Sequence, residues 1–325
     1  NIRERITGDT VILGDRELLN GELEDLGASF VDIPLSKLAK EAGGKIYSNS
    51  IAAGVLLGVL GLGTEGADTF YRRRFAGKDD VIEKNIAACA VGHELGLSIS
   101  EGEGALSGRR PNTGTEKMIL NGSDAVSLGA MAAGCTFVTA YPMSPATGVL
   151  SFFAKNAEKA GAVVEQVEDE ISAINMAVGA SYAGARPMVT TSGGGFALMG
   201  EGLSLAGVME TPVVVHLAQR PGPATGMATR TEQADLDLAL FSGHGEFPRA
   251  IFAPGTMESG FAITQRAFLT ALKYQTPAIV LTDQYFMNAF YNLDPGSLEY
   301  LKEPSLPAET PEGYRRYEDS PDGCS

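Results

Sequence analysis

The sequence predicts an α/β protein whose main domain is a largely parallel sheet covered by helices on both faces, preceded by part of a second α/β domain. Three observations predict it. Short apolar runs rich in β-forming residues recur at 136–140, 162–167, 187–191, 213–218, 249–253 and 278–282. Stretches of helical length separate most of them, and a strand, a helix and a parallel strand in succession make a right-handed crossover. With 325 residues and 44% hydrophobic composition, the chain can build cores for two domains of ordinary size.

Taken in order, residues 1–98 read as the carboxyl half of the first domain. Strands are expected at 11–13 and 29–33 around a helix at 17–26, and helices dominate afterwards. Ser50 is placed to cap a helix from Ile51, and 65–75 and 79–95 carry apolar residues at helical spacing. The longest apolar stretch, 51–62, is interrupted by Gly54, Gly58 and Gly61 and is shorter than the roughly 20 residues that span a bilayer. It reads as a buried helix. Residues 99–116 are polar, Gly-rich and without period, and are expected to be a linker. Residues 117–294 hold the regular strand–helix alternation. Residues 295–325, rich in Pro, Glu and Gly, read as an extended connector to a following domain. The chain opens without a methionine, so residues upstream of Asn1 are expected to be missing.

Charge and cysteine content exclude several classes. With 40 acidic and 25 basic residues the formal charge is -15, which repels phosphate backbones and anionic lipid. Arg72, Arg73 and Arg74 form the one dense basic run and point in different directions on a helix, as a solvated face does. Cys89, Cys135 and Cys324 are odd in number and far apart, which fits a reducing compartment, the cytoplasm, and neither a disulfide frame nor a cluster. No basic segment followed by an apolar core marks the chain for export. His93, His216 and His244 fall on separate elements without metal-ligand spacing, so no metal is expected in this chain; His244, in a Gly-rich turn, is kept as a possible edge of the site.

Ligands of parallel sheets bind beyond the carboxyl ends of the strands, so the loops after Ala140, Val167, Thr191 and Ala218 are the ones to inspect. After the first come Tyr141 and Pro142, then Ser144, which either caps the next helix or presents its hydroxyl to a ligand. The second brings Glu165, Glu168, Asp169 and Glu170 to a helix start, where two or three acids need no function. Glu170 differs because the helix it opens, with Ile171, Ala173, Ile174, Met176, Ala177 and Val178, reads as apolar all round and buried. A carboxyl at a buried helix end suits a proton donor. The third loop contains Ser192, Gly193, Gly194 and Gly195, glycines that permit close approach to a ligand but lack a Walker lysine or the full dinucleotide fingerprint. The fourth, 219–232, presents Arg220 and Arg230, suited to an anionic substrate or to pairing with surface carboxylates.

NGSDAVSLGAMAAGC at 121–135, YPMSP at 141–145, EDEISAINMAVGASYAGAR at 168–186, TSGGG at 191–195, ETPVVVHLAQR at 210–220, TRTEQADL at 229–236, GHGEFPR at 243–249 and QTPAIVLTDQY at 275–285 follow one another in a specific order. This series resembles the alpha subunit of the 2-oxoacid:ferredoxin (acceptor) oxidoreductases, of the type with a gamma domain fused ahead of it. KIYSNSIAAGVLLGVLGL at 45–62 looks like the carboxyl half of that gamma domain. Met143 and Ser144 stand where the family motif has isoleucine and threonine, which keeps the hydroxyl.

The resemblance implies a thiamine diphosphate-binding domain of the pyrimidine type and oxidative decarboxylation of a 2-oxoacid with coenzyme A to acyl-CoA and CO2, reducing ferredoxin. 2-Oxoglutarate is the first expectation, with pyruvate and branched-chain oxoacids behind it. It also implies a division of labour in a dimer of alpha–beta units. The beta subunit holds the diphosphate, Mg2+ and an iron–sulfur cluster; this chain holds the pyrimidine. By carry-over Glu170 meets the pyrimidine nitrogen, Tyr141, Pro142, Ser192, Gly193 and Gly194 line the cofactor, and Ser144, Arg220 and Arg230 face the substrate. Absence of a Gly-Asp-Gly with paired asparagines and of a cluster-sized cysteine set agrees with that division. A noncatalytic assembly subunit and a nicotinamide-dependent dehydrogenase are the competing readings.

Overall fold

The computed structural model describes residues 3–18, 27–103, 116–301 and 312–319, in two compact units, 1–114 and 115–325. In the first, β1 (Val11–Gly14) and β2 (Ser29–Asp32) pair in parallel, as their apolar runs predict. Of the helix expected at 17–26, Arg16–Leu18 form a 3-10 turn and residues 19–26 lie outside the described residues. Four helices follow, α1 (Leu35–Glu41), α2 (Ser48–Val59), α3 (Glu65–Arg74) and α4 (Asp79–Glu103).

Two expectations change here. Ser50 does not cap α2, because the helix starts two residues earlier and Ser50 is buried within it, its hydroxyl donating to Asn85 Oδ1 at 2.6 Å. Helix α4 continues to Glu103, into the stretch read as linker, because Ile99 packs against the core of Ile51, Val55 and Ala88; residues 104–115 lie outside the described residues. The glycines of α2 prove to be contact points. A Cβ on Gly54 would overlap the Cys89 carbonyl oxygen, and one on Gly58 that of His93; Gly92 and Gly96 of α4 face the carbonyl oxygens of Ile51 and Val55 in the same way. The two helices thus pack main chain on main chain, which needs a bare Cα at all four positions.

The second unit opens with β3 (Met118–Leu120) and α5 (Gly122–Ala132), whose start is closed by reciprocal bonds between Asn121 and Asp124. The alternation then runs β4 (Phe137–Ala140), α6 (Thr147–Ala160), β5 (Val163–Gln166), α7 (Glu170–Tyr182), β6 (Pro187–Thr191), α8 (Gly193–Leu198), α9 (Gly200–Val208) and β7 (Val213–Gln219). It continues with α10 (Leu236–Phe241), β8 (Ala250–Phe252), α11 (Met257–Tyr274), β9 (Pro277–Asp283), α12 (Gln284–Asn288) and β10 (Tyr291–Leu293). All six expected strands join one parallel sheet in the order β5-β4-β6-β7-β9-β8. Its four central strands, β4, β6, β7 and β9, are buried on both faces, whereas the edge strands β5 and β8 are exposed or half-buried. Val138, Met188, Val214 and Val280 meet α5, α6 and α11 through Val126, Phe153 and Phe268, while Val189, Val215, Leu217 and Ile279 meet Ile174, Phe196 and Leu203 on the other side. The antiparallel pair of β3 and β10 is too short to leave a period in the sequence.

Helix α7 is not buried all round. It turns Glu170, Ala173, Ile174, Ala177 and Val178 to the sheet, but Ile171 is 51% and Tyr182 77% exposed, because only one stripe of a surface helix reaches the sheet. The tail after Asp294 is tied down where it is described: the Tyr300 ring meets Phe261 edge-on, Gln265 bonds the main chain at Glu299 and Leu301, and Arg316 donates to Glu210 Oε2 at 3.0 Å. Among the described residues, no helix is long and apolar enough to cross a membrane.

Candidate functional site

From β4 the chain moves outward to β5, then returns past β4 to β6 and continues in the opposite direction to β7. The carboxyl ends of β4 and β6 therefore flank a topological switch point, the position where open parallel sheets bind ligands. The loops after β4, β5, β6 and β7 meet there.

Asp169 takes the ordinary acid's role at the start of α7. Its carboxylate accepts the Ser172 N–H at 2.7 Å, a bond that holds it below the usual carboxylate range. Glu165 and Glu168 are exposed as well. Glu170, one residue into the helix, is turned inward and only 3% exposed, and its Oε1 is buried without a hydrogen-bond partner. A Cβ on Gly195 would lie 2.5 Å from that oxygen and 2.7 Å from the Glu170 Cγ. The Glu170 carboxyl therefore rests on the glycine turn that follows β6.

That turn is crowded by the protein itself. Gly193 has its Cβ space filled by the Asp235 carboxyl, whose Cγ would lie 2.6 Å from it. The sequence reading assigned these glycines to close approach of a ligand; at Gly193 and Gly195 they admit two carboxyls instead, and Gly194 is the exposed member, facing the Ala224 carbonyl. Ser192 is fully buried and its Oγ has no partner. Asp235 Oδ2 is likewise buried and unpartnered, and burial raises the Asp235 pKa, with Glu232 pushing the same way.

Two consecutive side chains at the end of β7 tie the loops together. Arg220, 8% exposed, donates from Nη1 to the Ser144 carbonyl and from Nη2 to the Thr225 carbonyl, both at 2.8 Å. No carboxylate pairs with it among the described residues, so the surface-pairing reading does not describe this arginine. Gln219 accepts the Asp235 N–H at 3.0 Å and donates to the Thr282 carbonyl at 3.1 Å. Ser144 is exposed, beside a cis Ser144–Pro145 peptide, and does not cap α6, whose first turn is preceded by Ala146 without a side-chain bond. Tyr141 is exposed and Pro142 half-buried in the same loop. Arg230 is exposed, and no described contact brings it to Glu170 or Arg220. His244 lies in the segment before β8, its N–H donating to Ser204 Oγ of α9 at 2.6 Å, and no described contact brings it to Glu170 or Arg220. Among the described residues no group of His, Cys, Asp or Glu is arranged to hold a metal. Cys89 and Cys135 are buried and unpaired; Cys324 lies outside the described residues.

Sequence reasoning missed Asp235 and Gln219. The only local signal was two long polar side chains, Gln219 and Arg220, closing a fully buried strand.

Beneath the site, His216 is enclosed in the sheet, with Nδ1 2.8 Å from Thr190 Oγ1 and Nε2 2.9 Å from Thr282 Oγ1. Thr190 donates to the Ala146 carbonyl at 3.3 Å, so Nδ1–H donates to Thr190 and Nε2 accepts from Thr282. Burial lowers the His216 pKa to about 3, so the ring is neutral. An unfolded chain protonates this histidine near its ordinary 6.5 while the native one resists until about 3. Stability is therefore expected to fall with pH across that window, by up to about 1.4 kcal/mol per unit from this group. Urea midpoints against pH test it: the deficit of His216→Gln relative to wild type should shrink toward acid, and parallel curves would remove the assignment.

With this geometry described, comparison with known proteins is informative. Residues 128–322 match the family model described as "Pyruvate flavodoxin/ferredoxin oxidoreductase, thiamine diP-bdg", and residues 2–95 match "Pyruvate ferredoxin/flavodoxin oxidoreductase". The chain is 35% identical to subunit alpha of 2-oxoacid:ferredoxin oxidoreductase 2 of Aeropyrum pernix, over 93% of this chain and 51% of that protein. It is 34% identical to the 2-oxoglutarate oxidoreductase subunit KorA of Mycobacterium tuberculosis, over 82% of this chain and 40% of that one. The fold superposes with a TM-score of 0.83, at 32% identity, on 2-oxoglutarate:ferredoxin oxidoreductase from Magnetococcus marinus with 2-oxoglutarate, coenzyme A and succinyl-CoA bound, covering 99% of this chain and 57% of that one. The chain thus spans about half the length of the curated relatives it matches. A thiamine diphosphate-binding domain behind a gamma-type domain, in the order and over the residues just given, means that the chain belongs to the pyruvate and 2-oxoacid ferredoxin/flavodoxin oxidoreductase family.

Proposed function

We propose that this chain supplies the pyrimidine side of a thiamine diphosphate site in a 2-oxoacid:ferredoxin oxidoreductase that forms acyl-CoA and CO2, with 2-oxoglutarate as the preferred oxoacid. The observation that carries the reading is Glu170: a carboxyl buried at the switch point with one oxygen lacking a partner, a costly arrangement that a ring nitrogen would relieve. The relatives named for 2-oxoglutarate support the substrate. When bound, thiamine diphosphate would supply an acidic thiazolium carbon able to attack the 2-oxo carbonyl and take up the electrons released with CO2.

The chain's own residues do the remaining work assigned here. Glu170 holds a proton at the pyrimidine nitrogen, and the apolar wall of Ile174 and Phe196 behind it keeps water from competing. Tyr141 and Pro142 wall the cofactor side, next to Ser192, Gly193 and Gly194. Arg220, fixed by two carbonyls and paired with no carboxylate among the described residues, keeps guanidinium N–H groups for the substrate carboxylate beside Ser144; Arg230 is the second cation of that loop. The partners are a beta subunit carrying the diphosphate, Mg2+ and iron–sulfur sites, ferredoxin as acceptor, and a second alpha–beta unit, in the cytoplasm.

The isolated chain is expected to reduce no viologen dye with any 2-oxoacid, and addition of the beta subunit should restore the reaction. Substantial activity without that subunit would overturn the shared site. Within the complex, Arg220→Ala should lower kcat/KM for the oxoacid by about 10- to 150-fold, the value of one charge-assisted contact, while thiamine binding stays nearly intact. Ser144→Ala should cost less, and an unchanged kcat/KM in both variants would remove them from the substrate site.

A further inference from the structure

We propose that Asp235 is a positioning residue of this site, its carboxyl clamping Gly193 so that the Ser192 hydroxyl and Glu170 Oε1 face a bound pyrimidine from one glycine turn. The inference rests on the thiamine reading above.

Four observations lead to it. The Cβ space of Gly193 is taken by the Asp235 carboxyl, and that of Gly195 by the Thr191 hydroxyl at 2.2 Å together with the Glu170 carboxyl at 2.5 Å, so the two acids bear on one turn at a spacing of two residues. Each keeps a buried oxygen without a partner, and so does Ser192, the residue before Gly193. Asp235 immediately precedes α10, yet its side chain makes no capping bond, whereas Asp169 and Asp283, which precede α7 and α12, accept from Ser172 N and Phe286 N. An aspartate before a helix is ordinarily a cap; this one gives up that bond to press against glycine. Its main chain is also fixed, by the Gln219 side chain one residue before Arg220.

The charges around it make its protonation consequential. Glu232 faces it from its own loop, Glu170 lies across the turn on α7, Gln219 on β7 is neutral, and α8 carries no ionisable side chain. Burial and Glu232 both favour the neutral carboxyl. Loss of that proton would set a negative charge against the glycine turn on which the Glu170 carboxyl rests. Asparagine keeps the shape and a donor without the charge; alanine keeps neither.

The test is the dissociation constant for thiamine diphosphate of the complex with the beta subunit, alongside thermal unfolding. Asp235→Ala should weaken binding at least about tenfold, the value of one lost hydrogen-bonding partner, with little change in unfolding temperature. Asp235→Asn, which keeps the shape that presses on Gly193, should bind within about threefold of wild type. Wild-type affinity in Asp235→Ala, or an alanine-like loss of affinity in Asp235→Asn, would overturn the proposal; should the alanine variant not fold, the asparagine variant decides alone. A wild-type complex that binds no thiamine diphosphate would instead overturn the functional reading on which this rests.

Discussion

Glu170→Ala in the assembled complex is expected to lose about 100- to 10,000-fold in turnover, the usual contribution of a positioned acid–base group, while the fold survives. Survival follows from the site's structure. The residue sits in the first turn of α7, where Asp169 already caps the helix, and its removal deletes a buried polar atom that has no partner to strand. Proton–deuteron exchange at the thiazolium carbon of bound thiamine diphosphate, read by NMR after acid quench, isolates the step. Exchange should slow by the same factor in Glu170→Ala and stay at the wild-type rate in Glu168→Ala, since Glu168 is exposed. Wild-type exchange in Glu170→Ala with loss in Glu168→Ala would transfer the role to the neighbouring acid.

The second large effect is one of stability. Gly92→Ala is expected to destabilise the first unit by about 1–3 kcal/mol or more, because its new methyl would meet the Ile51 main chain, which cannot rotate away as a side chain does. Gly66→Ala supplies the contrast: it lies in α3 with open space at the Cβ position, and replacing a helical glycine there should be neutral or stabilising by up to about 1 kcal/mol. Denaturant unfolding and limited proteolysis of the two variants decide it, and equal stability would show that the helices can separate without cost.

The parallel sheet was legible because its central strands are buried on both faces and so appear as unbroken apolar runs; β7 is buried from Val213 to Gln219. The loops carrying Ser144, Glu170, Gly193 and Arg220 were legible for the same reason, since strand ends locate them. What could not be read depends on contacts remote in sequence. The glycines of α2 looked like interruptions of an apolar helix, because their purpose lies in the carbonyls of α4. Helix α7 looked uniformly apolar, and nothing local tells Ala173 on the sheet side from Ile171 on the open side except the position of the sheet. Asp235 sat in a polar loop with a helix start ahead of it, where capping was the natural role; its approach to Gly193 belongs to the folded chain alone.

Neighbours along a strand point to opposite faces, and at the end of β7 that alternation sends Gln219 toward Asp235 and Thr282 while Arg220 reaches Ser144 and Thr225. On the roles proposed for these residues, oxoacid selection and cofactor alignment would share one anchor, since Gln219 and Arg220 are consecutive. Substitutions at the two ends should show epistasis: a double-mutant cycle between Ser144 and Asp235 should depart from additivity although the two residues touch only through this strand end. A lineage changing its oxoacid would then have to move both loops together or leave the carboxyl terminus of β7 untouched.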